Sequence, residues 1–400
     1  MRITKITVTG FKSLVDFQMD LSKFTCLIGL NGSGKSTVLQ FLDFLSQLAR
    51  GGMDEWFKER KWSDKEILSG LLSRKQTIDF VLETMLDTGQ VIKWEGRYNI
   101  RTHTCSQESF VLQELAANGQ VYEEPLLTTK SEHFRVDRKR TESRQATASA
   151  PEKIIWVYDG SILSKITEET VPHELKEYRT FLRNLYSFDM LAPQSLRRRD
   201  RDSNGSIGLS GQRLSAFLYE LGWKRRDEMS KKLRSVYPYL ESILAKSLKS
   251  GWKQLMVMEE YGERRMLTEA RHINDGMLRL IAILAELESE HDFLLFDEIE
   301  NGINPELVAF LIGILTGARQ QIMVTTHSPM ILNYLDDETA KESVVYLYKT
   351  EAGETKAIKF FDIPSIREKL EVMGPGEAFV DTNLVQLADE INTLSPQEAE

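Results

Sequence analysis

The stretch CLIGLNGSGKSTVLQFL, residues 26–42, places a glycine-rich segment between an apolar run and an amphipathic run. Gly29, Gly32 and Gly34 allow a tight turn in which several backbone N–H groups point at one ligand. A helix that begins directly afterwards adds its positive N-terminal end. The segment Gly29–Ser36 also matches the pattern G-x-x-x-x-G-K-[ST]. The stretch therefore predicts a strand, a phosphate-binding loop and a helix, in that order.

The chemistry of the pattern assigns roles to its last two residues. Lys35 can reach the β- and γ-phosphates of a nucleotide, and the Ser36 hydroxyl can ligate Mg²⁺. The alternative is a glycine-rich turn that binds nothing, and the apolar strand before it and the helix after it argue against that reading. The candidate nucleotide ligands in this region are Asn31, Gly32, Ser33, Gly34, Lys35, Ser36 and Thr37.

A second stretch, FLLFDEIENGINP at 293–305, is an apolar run that ends in Asp297 and Glu298. A carboxylate at the carboxyl end of a central parallel strand faces the ligand crevice of an α/β sheet. Asp297 would hold Mg²⁺, and Glu298 would polarise the attacking water. The alternative is an ordinary acidic pair where a strand meets a surface loop, and the phosphate motif elsewhere in the chain favours the catalytic reading.

A third stretch, IMVTTHSP at 322–329, reads as a strand that ends at His327. The dipeptide Ser328-Pro329 is typical of a helix start, so His327 would lie at the same crevice and could contact the γ-phosphate. The alternative is a lone histidine that caps a strand end. Glu298, His327 and Lys35 are thus the candidate catalytic residues, and Ser36 and Asp297 are the candidate metal ligands.

Composition bounds the class of protein. The 400 residues are 41% apolar and 28% charged, which predicts a globular chain with one large domain or two. No run of 18 apolar residues occurs, and the N-terminal segment lacks the apolar core of a signal peptide. Only two cysteines are present, which favours a reducing cytoplasm. The net charge of −9 argues against a surface that coats nucleic acid.

Periodicity predicts the order of helices and strands. Predicted strands cover 2–9, 14–20, 24–28, 153–158, 253–260, 265–270, 292–296 and 320–325, with a β-like region over 76–135 and a turn at Asn118-Gly119. Predicted helices cover 35–49, 172–187, 210–222, 227–247, 276–289, 304–317 and 328–335. Residues 137–152 are polar and are predicted to be an exposed loop. The final alternation of helix and strand is typical of a parallel sheet with covering helices.

The order of these motifs, with HINDGMLR at 272–279 between the first and the second, resembles the ABC-type ATPase heads of the SMC/RecF/OLD group. The resemblance is strongest to bacterial AAA-family ATPases, many of which serve in phage defence, and it covers about 1–50 and 265–380. It implies an α/β head with a mixed or parallel P-loop sheet and an N-terminal antiparallel β-region. SMC-like heads carry a long coiled coil between the two motif halves, but residues 160–250 show no sustained heptad pattern and are predicted to form a compact helical insertion. The predicted divisions are 1–158, 159–250 and 251–400, the last with an acidic tail.

The resemblance further implies a dimer that sandwiches two ATP molecules. Asn274 and Gly276 would take the place of the signature loop and approach the γ-phosphate bound by the opposite subunit. Transporter-type signature loops carry other residues where this chain has Asn274, Asp275 and Met277. Because Asp275 adds negative charge near phosphate, a transporter subunit is not expected.

Two functions follow as hypotheses. The first is a cytoplasmic ATP-dependent sensor or scaffold for a separate effector, such as a nuclease or toxin, in anti-phage defence. The segment after His327 is expected to be too short for the TOPRIM nuclease that OLD-type proteins append. The alternative is a RecF/SMC-like repair ATPase that binds DNA. Basic clusters at 197–201 and 224–234 could meet DNA phosphates, although a solvated helix face with nearby acids is the simpler reading.

Overall fold

A computed structural model describes residues 1–73, 75–116, 119–130, 133–138, 147–148, 151–169, 171–188 and 191–393. Asn118 of the predicted turn, most of the predicted loop at 137–152 and the end of the acidic tail lie outside these residues. No helix of the described chain combines the length and the apolar character that crossing a membrane requires.

The strands are numbered in chain order. They are β1 (Arg2–Thr9), β2 (Phe17–Asp20), β3 (Phe24–Ile28), β4 (Thr77–Met85), β5 (Val91–Asn99), β6 (Thr104–Leu115), β7 (Val121–Lys130), β8 (His133–Arg138), β9 (Thr147–Ala148), β10 (Glu152–Lys153), β11 (Leu185–Phe188), β12 (Leu240–Ser247), β13 (Lys253–Tyr261), β14 (Arg264–Glu269), β15 (Phe293–Phe296), β16 (Gln321–Thr325), β17 (Val344–Lys349) and β18 (Thr355–Lys359).

The α-helices are numbered in the same way. They are α1 (Lys35–Arg50), α2 (Met53–Arg60), α3 (His173–Arg183), α4 (Pro193–Leu196), α5 (Leu214–Leu233), α6 (Asp275–Leu287), α7 (Pro305–Thr316), α8 (Pro329–Leu332), α9 (Asp337–Ser343), α10 (Pro364–Leu370), α11 (Pro375–Val380) and α12 (Leu384–Thr393). Short 3₁₀ turns occur at Asp64–Ile67, Ile162–Ser164, Ala270–His272 and Phe360–Asp362.

The chain divides into two compact units. Unit 1 holds Met1–Leu185 and Lys341–Arg367 together with a segment that starts at Thr382. Unit 2 holds Tyr186–Ala340 and Glu368–Asp381. The phosphate motif therefore belongs to unit 1, and the stretches that carry Asp297 and His327 belong to unit 2.

Unit 1 contains a large antiparallel sheet in the order β10-β8-β7-β6-β5-β4-β1-β2. Side chains alternate between the core and the outer face, as in β4, where Ile78, Phe80 and Leu82 are buried. Gly96 on β5 leaves room for the Phe80 ring, because a Cβ there would lie 2.2 Å from that ring. The predicted N-terminal antiparallel β-region is thus confirmed.

Unit 1 also contains the strand that precedes the phosphate motif. The fully buried β3 pairs in parallel with β17, and β17 pairs in antiparallel fashion with β18. Helix α1 buries most of its residues, and the apolar ones include Val38, Leu39, Phe41, Leu42 and Leu45. The predicted sequence of strand, loop and helix is confirmed, and β3 has the predicted bounds of 24–28.

Unit 2 contains the alternating segment. Strands β15 and β16 are parallel, with α6 before β15, α7 between the two strands and α8 after β16. Three further strands form an antiparallel sheet in the order β12-β13-β14. The α/β class with parallel and antiparallel strands is confirmed.

The prediction of a helix over 227–247 is wrong beyond Leu233. Helix α5 ends at Leu233, and residues 240–247 form β12, which pairs with β13. Pro238 cannot donate an intrahelical hydrogen bond and its ring blocks the preceding turn, so the helix ends before it. The pairing with β13 then decides the structure of a segment whose own periodicity is ambiguous.

Candidate functional site

The phosphate loop, Gly29–Lys35, joins β3 to α1 in unit 1. Its three glycines have positive φ angles of 143°, 77° and 112° at Gly29, Gly32 and Gly34. A Cβ at Gly29 would lie 2.3 Å from the Leu347 carbonyl oxygen, and one at Gly34 would lie 2.4 Å from the Thr355 hydroxyl. Both the backbone angles and the lack of space therefore require glycine at these two positions.

The loop offers groups that suit a phosphate. Lys35 is only 6% exposed, and its ammonium donates to the carbonyl oxygens of Gly29 and Leu30 at 2.9 and 3.1 Å. No side chain among the described residues caps the first turn of α1, so its N–H groups and the helix dipole can act on an anion. The buried Ser33 Oγ has no hydrogen-bond partner within the described chain. These features fit a nucleotide phosphate.

Lys12 lies in a neighbouring turn of unit 1 and is half-buried. Its ammonium lies 3.8 Å from the centre of the Trp62 ring and donates to Gln40 at 2.8 Å. Burial lowers the pKa of Lys12 to about 8. Two smaller effects come from Glu66, which raises this pKa, and from Arg60, which lowers it. The side chain is thus held in place by α1 and by an aromatic ring.

The acid loop, Asp297–Asn304, follows β15 in unit 2. The Thr325 hydroxyl at the end of β16 donates to Asp297 Oδ1 at 2.5 Å and accepts from the Glu298 N–H at 2.8 Å. The Thr325 carbonyl oxygen accepts from the Ile299 N–H at 3.2 Å. One threonine therefore fixes the backbone and one carboxylate of the acidic pair.

Glu298 has a φ of 47°, in the left-handed region that side chains other than glycine rarely adopt. Such a residue persists only where the surrounding structure holds it, and the bonds to Thr325 supply that support. The Asn301 amide donates to Glu298 Oε2 at 3.3 Å, which also restrains the carboxylate.

His327 follows β16 at the same strand edge. Its backbone N–H donates to Glu300 Oε1 at 2.9 Å, and its side chain is exposed. The structure therefore brings Asp297, Glu298 and His327 to the carboxyl ends of two paired parallel strands, as the sequence predicts.

The segment that replaces the signature loop begins α6 in unit 2. Asn274 is the N-cap of α6, and its side-chain oxygen accepts from the Met277 N–H at 2.8 Å. A Cβ at Gly276 would lie 3.4 Å from the Gly302 carbonyl oxygen, so this segment lies against the acid loop. The Arg197 guanidinium lies 2.5 Å from Asp275 Oδ1, so the extra negative charge has a counter-ion within the same unit.

Arg279 is a buried residue of unit 2 that the sequence analysis missed. It is 6% exposed, and its Nε has no hydrogen-bond partner among the residues that the structure describes. A Cβ at Gly302 would lie 3.0 Å from that Nε, so the guanidinium packs against the acid loop. Burial lowers the pKa of Arg279, and the charges of Asp275 and Glu298 act in the opposite direction. An arginine one turn into an otherwise apolar helix is the sequence signal.

Within the described ranges, no group of three or more His, Cys, Asp or Glu side chains could hold a metal by itself. Magnesium at nucleotide sites is usually held by one or two protein groups together with substrate phosphates. Single ligands such as Ser36 and Asp297 suit that mode, whereas a cage of protein ligands does not occur in the part of the chain described.

The family model described as AAA domain, putative AbiEii toxin, Type IV TA system matches residues 24–333. The chain belongs to this family. It is accordingly a P-loop ATPase-family protein, a class that binds nucleotide. The match includes the phosphate loop, the α6 N-terminus, the acid loop and His327. No curated protein matches the chain significantly.

Solved structures show the same fold. One is a structure of the Smc head bound to the C-winged helix domain of ScpA, whose sequence is 15% identical to this chain. The alignment covers 90% of this chain and 97% of that one, with a TM-score of 0.55. The Smc head domain with an extended coiled coil, bound to the C-terminal domain of ScpA and derived from Pyrococcus furiosus, is 13% identical. It covers 92% of this chain and 99% of its own, with a TM-score of 0.53. At these identities the likeness describes the fold alone, which is similar to that of an SMC head.

Proposed function

We propose that this AAA-domain protein binds ATP with Mg²⁺, hydrolyses the ATP, and uses that cycle to hold and release a separate effector. The effector would be a nuclease or a toxin, and the setting would be anti-phage defence in the bacterial cytoplasm. The observation that carries the ATPase proposal is the acid loop, where Thr325 holds Asp297 and the strained Glu298 in place.

Each candidate residue has a defined task in this proposal. Lys35, Asn31–Thr37 and the N-terminus of α1 bind the phosphates, because they combine positive charge with N–H donors. Ser36 and Asp297 are the proposed Mg²⁺ ligands, and bound Mg²⁺ would neutralise charge on the phosphates. Glu298 orients the attacking water and accepts its proton, and His327 contacts the γ-phosphate.

The proposed assembly is a homodimer, or a higher oligomer, that closes over ATP. Asn274 and Gly276 would face the γ-phosphate bound by the opposite subunit. The Arg197 contact supports this reading, since it neutralises Asp275 at the position where the segment departs from transporter-type loops. The family description, which includes a putative toxin of a Type IV TA system, supports an effector of the toxin class.

The test is native mass spectrometry of the chain produced together with the proteins encoded beside it. Glu298→Gln with ATP should trap an oligomer that carries a second, different protein. Lys35→Ala is the matched control, because it should remove nucleotide-dependent capture without touching the acid loop. A bare dimer under trapping conditions, or one that retains DNA, would contradict the effector proposal.

The alternative, a repair ATPase that binds DNA, would use the basic clusters. Five of the ten basic residues in these clusters form ion pairs within unit 2, which weighs against it. The pairs are Arg197 with Asp275, Arg199 with Glu269, Arg225 with Glu290, Lys231 with Asp227 and Lys232 with Glu288. DNA binding is therefore retained only as an outcome of the test above.

A further inference from the structure

Thr355 is a buried residue in unit 1 that lies directly behind the phosphate loop. It begins β18, is 0% exposed, and donates from its hydroxyl to the Ser33 carbonyl oxygen at 2.9 Å. The same hydroxyl lies 2.8 Å from Ser13 Oγ, and the Thr355 N–H donates to the Ser13 carbonyl oxygen at 2.9 Å. Because the Thr355 proton goes to Ser33, the Ser13 hydroxyl is the donor in the remaining bond.

The contact between Thr355 and the loop is close. A Cβ at Gly34 would lie 2.4 Å from the Thr355 hydroxyl and 2.8 Å from its methyl group. A Cβ at Gly29 would lie 2.3 Å from the Leu347 carbonyl oxygen, which belongs to β17 of the same hairpin. The β17–β18 hairpin thus supports the phosphate loop at two of its three glycines.

The bond to Ser33 also fixes an N–H group. A trans peptide is planar, and its C=O and N–H point in opposite directions. When Thr355 holds the Ser33 carbonyl oxygen, the Gly34 N–H on the same peptide must point away from Thr355. Thr355 therefore sets the direction of one N–H group of the phosphate loop, and backbone N–H groups of such loops bind phosphate.

The bond from Thr355 to Ser13 connects Thr355 to a turn that contacts α1. Ser13 follows Lys12, and Lys12 donates to Gln40, which lies one helical turn after Ser36. Thr355 therefore joins the phosphate loop to the segment that contacts the first turns of the following helix.

We propose that Thr355 is a positioning residue that sets the phosphate loop for nucleotide binding by linking Ser33 to Ser13. The role rests on the nucleotide binding assigned to the loop, and it adds a residue far along the chain that no part of the phosphate motif contains. Thr355 does not touch the nucleotide in this proposal, and it acts through the Ser33–Gly34 peptide.

The test compares Thr355→Val, Thr355→Ser and Thr350→Val in the full chain. Valine keeps the methyl group that packs on Gly34 and removes the hydroxyl, so the dissociation constant for ATP should rise about tenfold. Serine keeps the hydroxyl and should restore binding to within about twofold of the wild type, since only the methyl is lost. Thr350 is the matched control, because its hydroxyl accepts from the Glu354 N–H within the same hairpin turn.

A merely structural role would lower the thermal midpoint of Thr355→Val and Thr350→Val alike and leave KM unchanged. The proposal requires KM for ATP to rise in Thr355→Val alone. Wild-type affinity in Thr355→Val, or equal loss of affinity in Thr350→Val, would overturn it. If Thr355→Val does not fold, Ser13→Ala removes only the hydrogen bond between the Ser13 and Thr355 hydroxyls. This variant should weaken ATP binding about threefold, because one hydrogen bond is lost. Unchanged affinity there overturns the proposal.

If the proposed function itself is wrong, the result differs from that of a wrong assignment of Thr355. The wild type would then not bind ATP, and Lys35→Ala would behave like the wild type. If the wild type binds ATP and Lys35→Ala does not, the comparison of the threonine variants tests Thr355 alone.

Discussion

The phosphate loop and the acid loop both contain residues with positive φ angles, but different features of the structure allow those angles in each loop. The phosphate loop uses positive φ angles at three glycines, where such angles carry little strain. The acid loop places a glutamate at a φ of 47°, and the Glu298 N–H donates to the Thr325 hydroxyl, which in turn donates to Asp297. The residues that shape the phosphate loop lie within the loop itself. The strained Glu298 depends instead on Thr325, which lies on another strand.

The largest expected effect comes from Lys35→Ala in the phosphate loop. It should weaken ATP binding by about a thousandfold, or about 4 kcal/mol, because the buried ammonium is the main positive charge of the loop. Isothermal titration calorimetry with ATP and Mg²⁺ measures this directly. Lys23→Ala is the control, as Lys23 is exposed in the turn before β3. Similar affinities for the two variants would show that the loop is not the nucleotide site.

A smaller effect is expected when the support of the acid loop is removed. Thr325→Val should lower kcat for ATP hydrolysis about tenfold with little change in KM, since Asp297 and Glu298 lose their shared partner. Thr316→Val is the matched control, because the Thr316 hydroxyl donates within α7, to the Ile312 and Gly313 carbonyl oxygens. A change in KM with kcat intact would place Thr325 in binding instead of in the support of the acid loop.

The smallest effect concerns a buried carboxyl in the large antiparallel sheet of unit 1. Glu108 is fully buried and accepts from Trp94 Nε1, Ser161 Oγ and the Ile162 N–H at 3.1, 2.5 and 2.8 Å. Burial raises the pKa of Glu108 to about 7 despite these hydrogen bonds. The unfolded chain therefore loses this proton at lower pH than the folded chain does, and the stabilising contribution falls as pH rises from about 4.5 to about 7.

Glu108→Gln should remove that pH dependence, because glutamine remains neutral. Between pH 6 and pH 8 the wild type should lose about 1 kcal/mol of unfolding free energy relative to the variant. Urea denaturation monitored by tryptophan fluorescence at several pH values measures the difference. Parallel pH profiles for the two proteins would show that Glu108 titrates as an ordinary carboxyl.

The difference between the loops explains what sequence can predict. The phosphate loop is encoded by glycines, a lysine and a serine within a few neighbouring positions, so β3, the loop and α1 were predictable from local pattern alone. Asp297, Glu298 and His327 were also predictable as residues at strand ends. Their support was not, because Thr325 reads as an ordinary strand threonine 28 positions from Asp297.

Contacts distant in the sequence account for the rest. Thr355 is 322 positions from Ser33, and no local pattern connects them. The strand at 240–247 depends on pairing with β13, which overrides a helix-like periodicity. Arg279 is visible in sequence only as a charge in an apolar helix, and its packing against Gly302 needs the folded loop.

The most direct test of the proposed ATPase is a single-turnover measurement on Glu298→Gln beside the wild type. Radiolabelled ATP and Mg²⁺ would be mixed with excess protein, and bound ATP and released phosphate would be followed together. The expected result is equal ATP binding with phosphate release slowed at least about a hundredfold in the variant, because only the group that activates water is lost. Phosphate release at the wild-type rate would contradict the assignment of Glu298 and, with it, the proposed mechanism.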